Sequence, residues 1–320
     1  MVYVLFIIGF VFLIKGADML VEGASSVAKK FNISDLVIGL TIVAFGTSAP
    51  ELIVNIMASV KGSAGIAIGN VLGSNIANIL LILGAAAIVY PISVKKDTTF
   101  KEIPFSLLAV LAVGLLANDF LIDGAISSGI TRIDGLILIC FFIIFMYYVF
   151  SIAKKESDLP EEITVKKMSG WKSVLFIVIG LVGLTLGGQW IVDGAIQIAK
   201  IFGMSETVIG LTIVAVGTSL PELATSIMAA MKKKSDIAIG NVVGSNIFNI
   251  FWILGLSAVI SPLPFQLSLN RDILMTMIAT VLLFVFILVG RKKSAIDKKE
   301  GIMMLIIYAV YVTLLVTGVI

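Results

Sequence analysis

GTSAPE occupies Gly46–Glu51, and GTSLPE occupies Gly217–Glu222, 171 residues further on. The same interval carries GNVLGSNIAN (Gly69–Asn78) onto GNVVGSNIFN (Gly240–Asn249). Thr47, Glu51, Ser74 and Asn78 map onto Thr218, Glu222, Ser245 and Asn249 without a residue of drift. The chain is therefore two copies of one unit. Each copy sets a glutamate, hydroxyls and amides inside otherwise apolar runs. Internal repeats with interrupted helices and polar groups at membrane depth are what secondary transporters use to build an ion or substrate site.

Composition fixes the surroundings. The 320 residues are 59% hydrophobic and only 13% charged, against about 25% charged in soluble chains. A membrane-spanning helix needs about 20 apolar residues. Ten such runs fit, near 2–24, 36–60, 66–90, 103–119, 133–152, 172–196, 207–231, 237–261, 272–290 and 301–319. They are too long and too uniformly apolar for barrel strands, which alternate over about 10 residues. The expectation is an all-α membrane protein of ten transmembrane helices, with the lipid bilayer as its partner. A net charge of +3 carries no nucleic-acid signal. The single cysteine, Cys140, cannot form an intrachain disulfide, and the absence of histidine excludes imidazole proton relays and histidine metal sites. The first run lacks a basic n-region and a small-residue cleavage site. Its Gly16 and Glu22 match Gly187 and Asp193 at the repeat interval, so it reads as a span and not as a signal peptide.

Five spans per copy is an odd number, so the second copy enters the membrane from the opposite side. The expected organisation is a first five-helix repeat over 1–153, a cytoplasmic linker over 154–170, and a second, inverted repeat over 171–320. Basic residues test this. Of the 23 lysines and arginines, 18 fall in the loops after spans 1, 3, 5, 7 and 9. Lys61, Arg132, Lys200 and Arg271 fall on the other face, and Lys15 lies within span 1. The positive-inside rule then puts the 18 in the cytoplasm and both termini outside, in a cell (plasma) membrane.

Ser48 and Ser219 lie near the centres of their spans, which places Glu51 and Glu222 near the bilayer midplane. An ionised carboxylate there costs at least about 2.5–3.5 kcal/mol, so two at matched positions call for a cation. Thr47, Ser48 and Glu51 share one helical face, as do Thr218, Ser219 and Glu222. Pro50 has no N–H, so the helix is expected to break near Gly46 and Thr47 and to free carbonyls such as that of Ala44. Pro221, Gly217 and Ala215 repeat the device. Irregular backbone at this depth is tolerated only where it lines a cavity or is buried in protein.

The facing wall comes from the next span of each copy. Asn70, Ser74 and Asn78 are spaced by four, as are Asn241, Ser245 and Asn249. Gly69 with Gly73, and Gly240 with Gly244, form GxxxG patterns that admit another helix closely. Carboxylate, hydroxyl, amide and carbonyl oxygens without sulfur or imidazole suit hard cations such as Ca²⁺ and Na⁺. A lone GxxxG, serine or asparagine in a membrane helix reads as packing; the doubled set does not. Asn75 and Asn246 lie off the stripe and read as packing or capping groups. Asp18, Glu22 and Asp193 read as interfacial, Arg132 and Asp134 as an interfacial pair, and Lys232–Lys234 as a cytoplasmic anchor.

GTSAPE with GSNIAN, and GTSLPE with GSNIFN, resemble the two alpha repeats of the cation/Ca²⁺ exchanger superfamily, in the prokaryotic part of its Na⁺/Ca²⁺ exchanger branch. The ten-span, two-repeat layout extends the resemblance over essentially the whole chain. It implies a bundle in which spans 2, 3, 7 and 8 enclose the ion sites while spans 1 and 6 slide across it to alternate access. Glu51 and Glu222 would be the principal Ca²⁺ ligands. Thr47, Ser48, Ser74, Thr218, Ser219 and Ser245, with the carbonyls of Ala44 and Ala215, would complete the Na⁺ and Ca²⁺ sites beside Asn78 and Asn249. One position departs from the pattern: many Na⁺/Ca²⁺ exchangers carry an aspartate where this chain has Asn249. Two carboxylates balance one Ca²⁺ or two Na⁺, which argues against three-for-one exchange and against K⁺ co-transport.

The leading expectation is thus a Na⁺/Ca²⁺ antiporter, with both ions as substrates, no cofactor and no enzymatic activity. The nearest rival is a H⁺/Ca²⁺ antiporter, whose branch resembles GNxxE more than the hydroxyl-rich GTSxPE. A cation channel would use the same polar groups in a continuous pore, but inverted repeats with broken helices favour alternating access. An intramembrane serine hydrolase on Ser48 or Ser219 would need a lysine base, and Lys15, the lysine inside a span, lies on one with no motif.

Overall fold

The computed structural model describes residues 2–156, 168–202, 215–290 and 294–317. Among them, in chain order, are helices α1 (Val2–Phe31), α2 (Asp35–Thr47), α3 (Ala49–Val60), α4 (Ala64–Val89), α5 (Thr98–Leu116), α6 (Arg132–Ala153), α7 (Gly170–Ile201), α8 (Leu220–Met231), α9 (Ser235–Ile260), α10 (Leu267–Val289) and α11 (Lys298–Val316). Eight of these are long and apolar enough to cross a bilayer, and the pair α2 and α3, bent by 47° at Ser48, makes up to nine. Helix α8 is apolar but has 12 residues, with a single turn at Ala215–Thr218 before it. Residues 207–214 of the expected seventh span, and most of the 154–170 linker, lie outside the described residues.

Burial separates an inner group from an outer one. Helices α4 and α9 are 78% buried, whereas α6 is 17% and α11 22% buried. Outward side chains stay apolar, with Ile7 67% and Val60 70% exposed, as expected where the solvent is lipid. Lipid tails are as apolar as leucine, so small residues and polar contacts decide which helices touch. Helices α1 and α7 meet along glycines spaced by seven. A methyl at Gly16 would sit 2.7 Å from Leu184 N and 2.8 Å from Gly180 O, and one at Gly187 would sit 2.7 Å from Gly9 O. Ser173 donates to Ser26 at 2.8 Å on the same seam.

The GxxxG expectation holds for the second copy. A methyl at Gly240 would lie 2.9 Å from Leu36 O, and one at Gly244 2.9 Å from Leu40 Cα, so α9 touches the backbone of α2. Nothing described lies within 4 Å of a methyl placed at Gly69 or Gly73; 207–214, the counterpart of α2, is outside the described residues.

Two short ribbons qualify the all-helical expectation. Strand β1 (Ile92–Ser93) pairs antiparallel with β4 (Ala295–Ile296), and β2 (Gly129–Ile130) with β3 (Leu263–Pro264). Each ribbon joins the segment after the Asn-rich helix of one copy to the segment before the last helix of the other. Beside the second ribbon, Asn118 and Asn270 exchange amide hydrogen bonds of 2.8 Å.

One expectation about surface charge is corrected. Arg132 and Asp134 do not pair: Arg132 Nε donates to Val259 O at 3.2 Å, while Asp134 accepts from Thr131 N at 2.7 Å and Thr131 Oγ1 at 2.6 Å. Residues two apart on a helix do not face each other. Asp18 and Glu22 both accept Lys232, at 2.5 and 3.1 Å. The lysines of the run expected as a cytoplasmic anchor have partners within the protein. Lys232 ties α1 to the end of α8, Lys234 bonds Asp35 at 2.8 Å, and Lys233 lies 5.9 Å from the Tyr90 ring centroid.

Candidate functional site

The break in each GTSxPE segment falls at the serine. Ser48 has φ −80°, ψ 7° and Ser219 has φ −88°, ψ 7°, one to two residues after the expected Gly46–Thr47. Proline at the second position of α3 and α8 explains the shift. Pro50 and Pro221 suit the first turn of a helix, where an N–H would lack a partner anyway, so a new helix starts just before each of them. Glu51 and Glu222 then sit in those first turns, where carboxylates are favoured.

The freed carbonyl is not free at Ala44. Its oxygen accepts Ser48 N–H at 3.0 Å and Thr47 Oγ1 at 3.3 Å. In the second copy Ser219 N–H turns instead to Val216 O at 3.2 Å, not to Ala215.

The two copies are joined through their glutamates. Ser48 Oγ donates to Glu222 Oε1 at 3.0 Å, and Ser219 Oγ donates to Glu51 Oε1 at 3.1 Å. Ser74 Oγ adds a long contact of 3.5 Å to Glu51 Oε1. Both carboxylates are 1% exposed, and the other oxygen of each, Oε2, has no partner. A buried polar atom without a partner is costly, and such atoms mark places where a ligand can be taken up.

The asparagine wall is crossed in the same way. Asn78 Nδ2 donates to Asn246 Oδ1 at 2.9 Å, and Asn249 Nδ2 donates to Asn75 Oδ1 at 3.0 Å. Asn75 and Asn246 in turn donate to each other's backbone carbonyls, at 3.1 and 3.3 Å. Their amides spend the donors of Asn78 and Asn249, and the carbonyl oxygens Oδ1 of Asn78 and Asn249 are left buried without a partner. Both residues lie in wide π-helical turns, Asn78–Leu83 and Phe248–Leu254, a distortion frequent at functional sites. Asn75 and Asn246 therefore hold amides in place across the repeat; they cap no helix end. Their recurrence at the 171-residue interval was the signal for them, as good as that of the neighbours counted as site residues.

Elsewhere the copies differ. Thr47 Oγ1 donates to Asn241 Oδ1 at 3.0 Å, and Asn241 Nδ2 contacts Ser226 Oγ at 2.9 Å and Glu222 O at 3.3 Å. The counterpart, Asn70, bonds Asn55 at 2.7 Å, and Thr218 Oγ1 is left without a partner. Asn55 stands where the second copy has Ser226. Ser245 Oγ, fully buried, also has no partner. Six buried oxygens thus lack hydrogen bonds around one locus: two carboxylate, two amide and two hydroxyl. Among the described residues no cluster of three acidic, histidine or cysteine side chains exists, so hard oxygens with two negative charges make up the set.

The profile of the sodium/calcium exchanger proteins matches residues 1–151 and 172–317. The chain belongs to the sodium/calcium exchanger protein family. Among its relatives, the sodium/calcium exchanger MaX1 of Methanosarcina acetivorans is 32% identical over 345 residues, 98% of each chain. The inner membrane protein YrbG of Escherichia coli is 38% identical over 287 residues, 87% of this chain and 86% of that one. A solved structure of the sodium-calcium exchanger NCX_Mj, soaked with zero Na⁺ and Ca²⁺, superposes with a TM-score of 0.83 at 35% identity, covering 98% of each chain. Another, soaked with 10 mM Na⁺ and 10 mM Sr²⁺, gives 0.82 at 34% identity, covering 98% of this chain and 97% of that one. As a member of the exchanger family the protein is a membrane antiporter of Na⁺ and Ca²⁺, not an enzyme.

Proposed function

We propose that the Glu51–Glu222 locus is the site through which Na⁺ and Ca²⁺ pass. Glu51 and Glu222 would be the Ca²⁺ ligands through their unpartnered Oε2 atoms. Ser48, Ser219 and Ser74 already touch the carboxylates, and Thr218 and Ser245 offer free hydroxyl oxygens. Asn78 and Asn249 present amide oxygens, while Thr47 and the carbonyls of Ala44 and Ala215 would join once an ion draws them from their present contacts. The observation that carries this reading is the set of buried oxygens without partners on both sides of the Ser48–Glu222 and Ser219–Glu51 bonds. Ca²⁺ takes 6–8 oxygen ligands, a number this locus can meet.

The full architecture belongs to the same proposal: ten spans in two inverted five-helix repeats, over 1–153 and 171–320, joined by the 154–170 linker. The crossed bonds support it, since Ser48–Glu222 and Asn78–Asn246 return with the copies exchanged as Ser219–Glu51 and Asn249–Asn75. The basic loops support a cell-membrane orientation with both termini outside. Alternating access would move α1 and α7, whose glycine seam lets them travel as one unit across the inner helices. The decisive experiment is Ca²⁺ uptake into proteoliposomes with an imposed Na⁺ gradient or an imposed pH gradient, side by side. Uptake driven by Na⁺ is expected; uptake that follows pH and ignores Na⁺ would overturn the assignment.

A further inference from the structure

Helix α5 opens with a second buried carboxylate that the exchange site does not use. Glu102 and Thr98 are both fully buried, and they lie four apart in a π-helical turn, Thr98–Glu102. Pro104 follows in the first turn of the α-helical part of α5. Tyr148 of α6 donates its phenol to Glu102 Oε1. Glu102 Oε2 and Thr98 Oγ1 have no partner.

No ion pair involves Glu102 among the described residues. On its own element Lys101 bonds Asp97 at 2.8 Å. From α9, Asp236 faces this end of the molecule and is held by Lys95 at 2.9 Å; the π turn Phe248–Leu254 carries no charge. The ionisable groups of α10, Arg271 and Asp272, stand at its first turn, and Asp272 accepts Tyr311 at 2.6 Å. The described charges of α6, Arg132 and Asp134, are about 24 and about 21 Å along the helix from Tyr148 at 1.5 Å per residue. The Asp272–Tyr311 pair is an internal comparison. It has the same acid and phenol, but the aspartate is not fully buried and none of its oxygens is orphaned. Among the described residues no ion pair balances Glu102, and a fully buried carboxylate inside a membrane protein is not left ionised in that condition.

We infer that Glu102, with Thr98 and Tyr148, holds a monovalent cation, Na⁺ or a proton, at a place separate from the Glu51–Glu222 site. The cation neutralises the carboxylate that fastens α5 to α6, so Na⁺ or pH on the face of the basic loops would set how firmly those helices are held together.

The test uses the full chain carrying Glu51→Gln and Glu222→Gln, which silences the exchange site and keeps this inference independent of it. The infrared band of protonated carboxyl groups is followed as Na⁺ replaces choline and as pH is varied, with and without Glu102→Gln. A band that Glu102→Gln removes is expected in choline. Its loss on adding Na⁺ assigns Na⁺ as the ligand; a band indifferent to Na⁺ assigns a proton. If the doubly substituted background does not fold, the difference between the natural sequence and the single Glu102→Gln variant isolates the same band. A spectrum that Glu102→Gln leaves unchanged throughout the Na⁺ and pH series overturns the inference.

Discussion

Ser48 of the first copy donates to Glu222 of the second at 3.0 Å, and the relationship returns as Ser219 to Glu51 at 3.1 Å. Neither carboxylate is held by the serine of its own motif. A cation bound by one glutamate would therefore be felt by both copies, and a substitution in one copy would disturb contacts shared by two. This arrangement motivates the first expected outcome.

Glu51→Gln and Glu222→Gln should each reduce Ca²⁺ flux to background in a protein that still inserts and folds. Two carboxylates are just enough to neutralise Ca²⁺, and among the described residues no third acid joins them. The amide keeps the side-chain volume and an acceptor for the partner serine, so melting should change by only about 1 kcal/mol in unfolding free energy. Flux in proteoliposomes together with a melting curve checks this; near-normal flux in either variant would show that the site is elsewhere.

Asn249→Asp should make exchange depend on voltage and pH. Asn249 now donates its amide to Asn75 Oδ1 at 3.0 Å. A protonated acid can replace that donation and an ionised one cannot, so acid pH should preserve behaviour close to that of the natural sequence. At alkaline pH the new charge could hold an additional monovalent cation. Each elementary charge moved is worth about 2.3 kcal/mol per 100 mV, which flux at clamped potentials will resolve. Identical voltage and pH dependence in the two proteins would place Asn249 outside the ion path.

Lys232 holds Asp18 at 2.5 Å and Glu22 at 3.1 Å, and so ties α1 to α8 at one end. The repeat-related Gln189 and Asp193 bond each other at 2.8 Å instead. Lys232→Gln should loosen α1 at this end. In a Cys140→Ser background, labelling of Ser25→Cys, a position 4% exposed, should rise several-fold; the tie is worth about 1 kcal/mol, and 1.4 kcal/mol is tenfold in an equilibrium. Labelling that Lys232→Gln leaves unchanged would mean that the tie does not restrain α1.

A reporter fused to either terminus should lie outside the cytoplasm, and a tag within 154–170 should lie inside. The warrant is the 18-to-4 division of basic residues between the two faces. A cytoplasmic reporter at the C-terminus would mean that the chain crosses the membrane an odd number of times, and the inverted arrangement would fall with it.

Much of the site was legible before any coordinates. Thr47, Ser48, Glu51, Ser74, Asn78 and their counterparts announced themselves because a polar group in an apolar run is costly, and its recurrence at a constant interval excludes accident. The two prolines likewise marked broken helices, although the break settles at the serine, since proline favours the first turn of the helix that follows. One reading failed for a physical reason. The Arg132–Asp134 pair was judged from neighbours along the chain, while the partner of Arg132, Val259, is remote in it.

By itself the sequence determined that the chain is a membrane protein of two copies, which oxygen-bearing side chains recur in each copy, and that the basic residues gather in alternate loops. Those are consequences of local chemistry: hydropathy, the missing N–H of proline, and the cost of a buried charge. Only the tertiary structure decided that each serine serves the other copy's glutamate, which amide oxygens are left free, and that Lys232 reaches back to α1. Hydrogen bonds and ion pairs of this kind act over about 3 Å between residues up to 214 positions apart, and no pattern read along one dimension specifies which of several compatible donors an acceptor will meet.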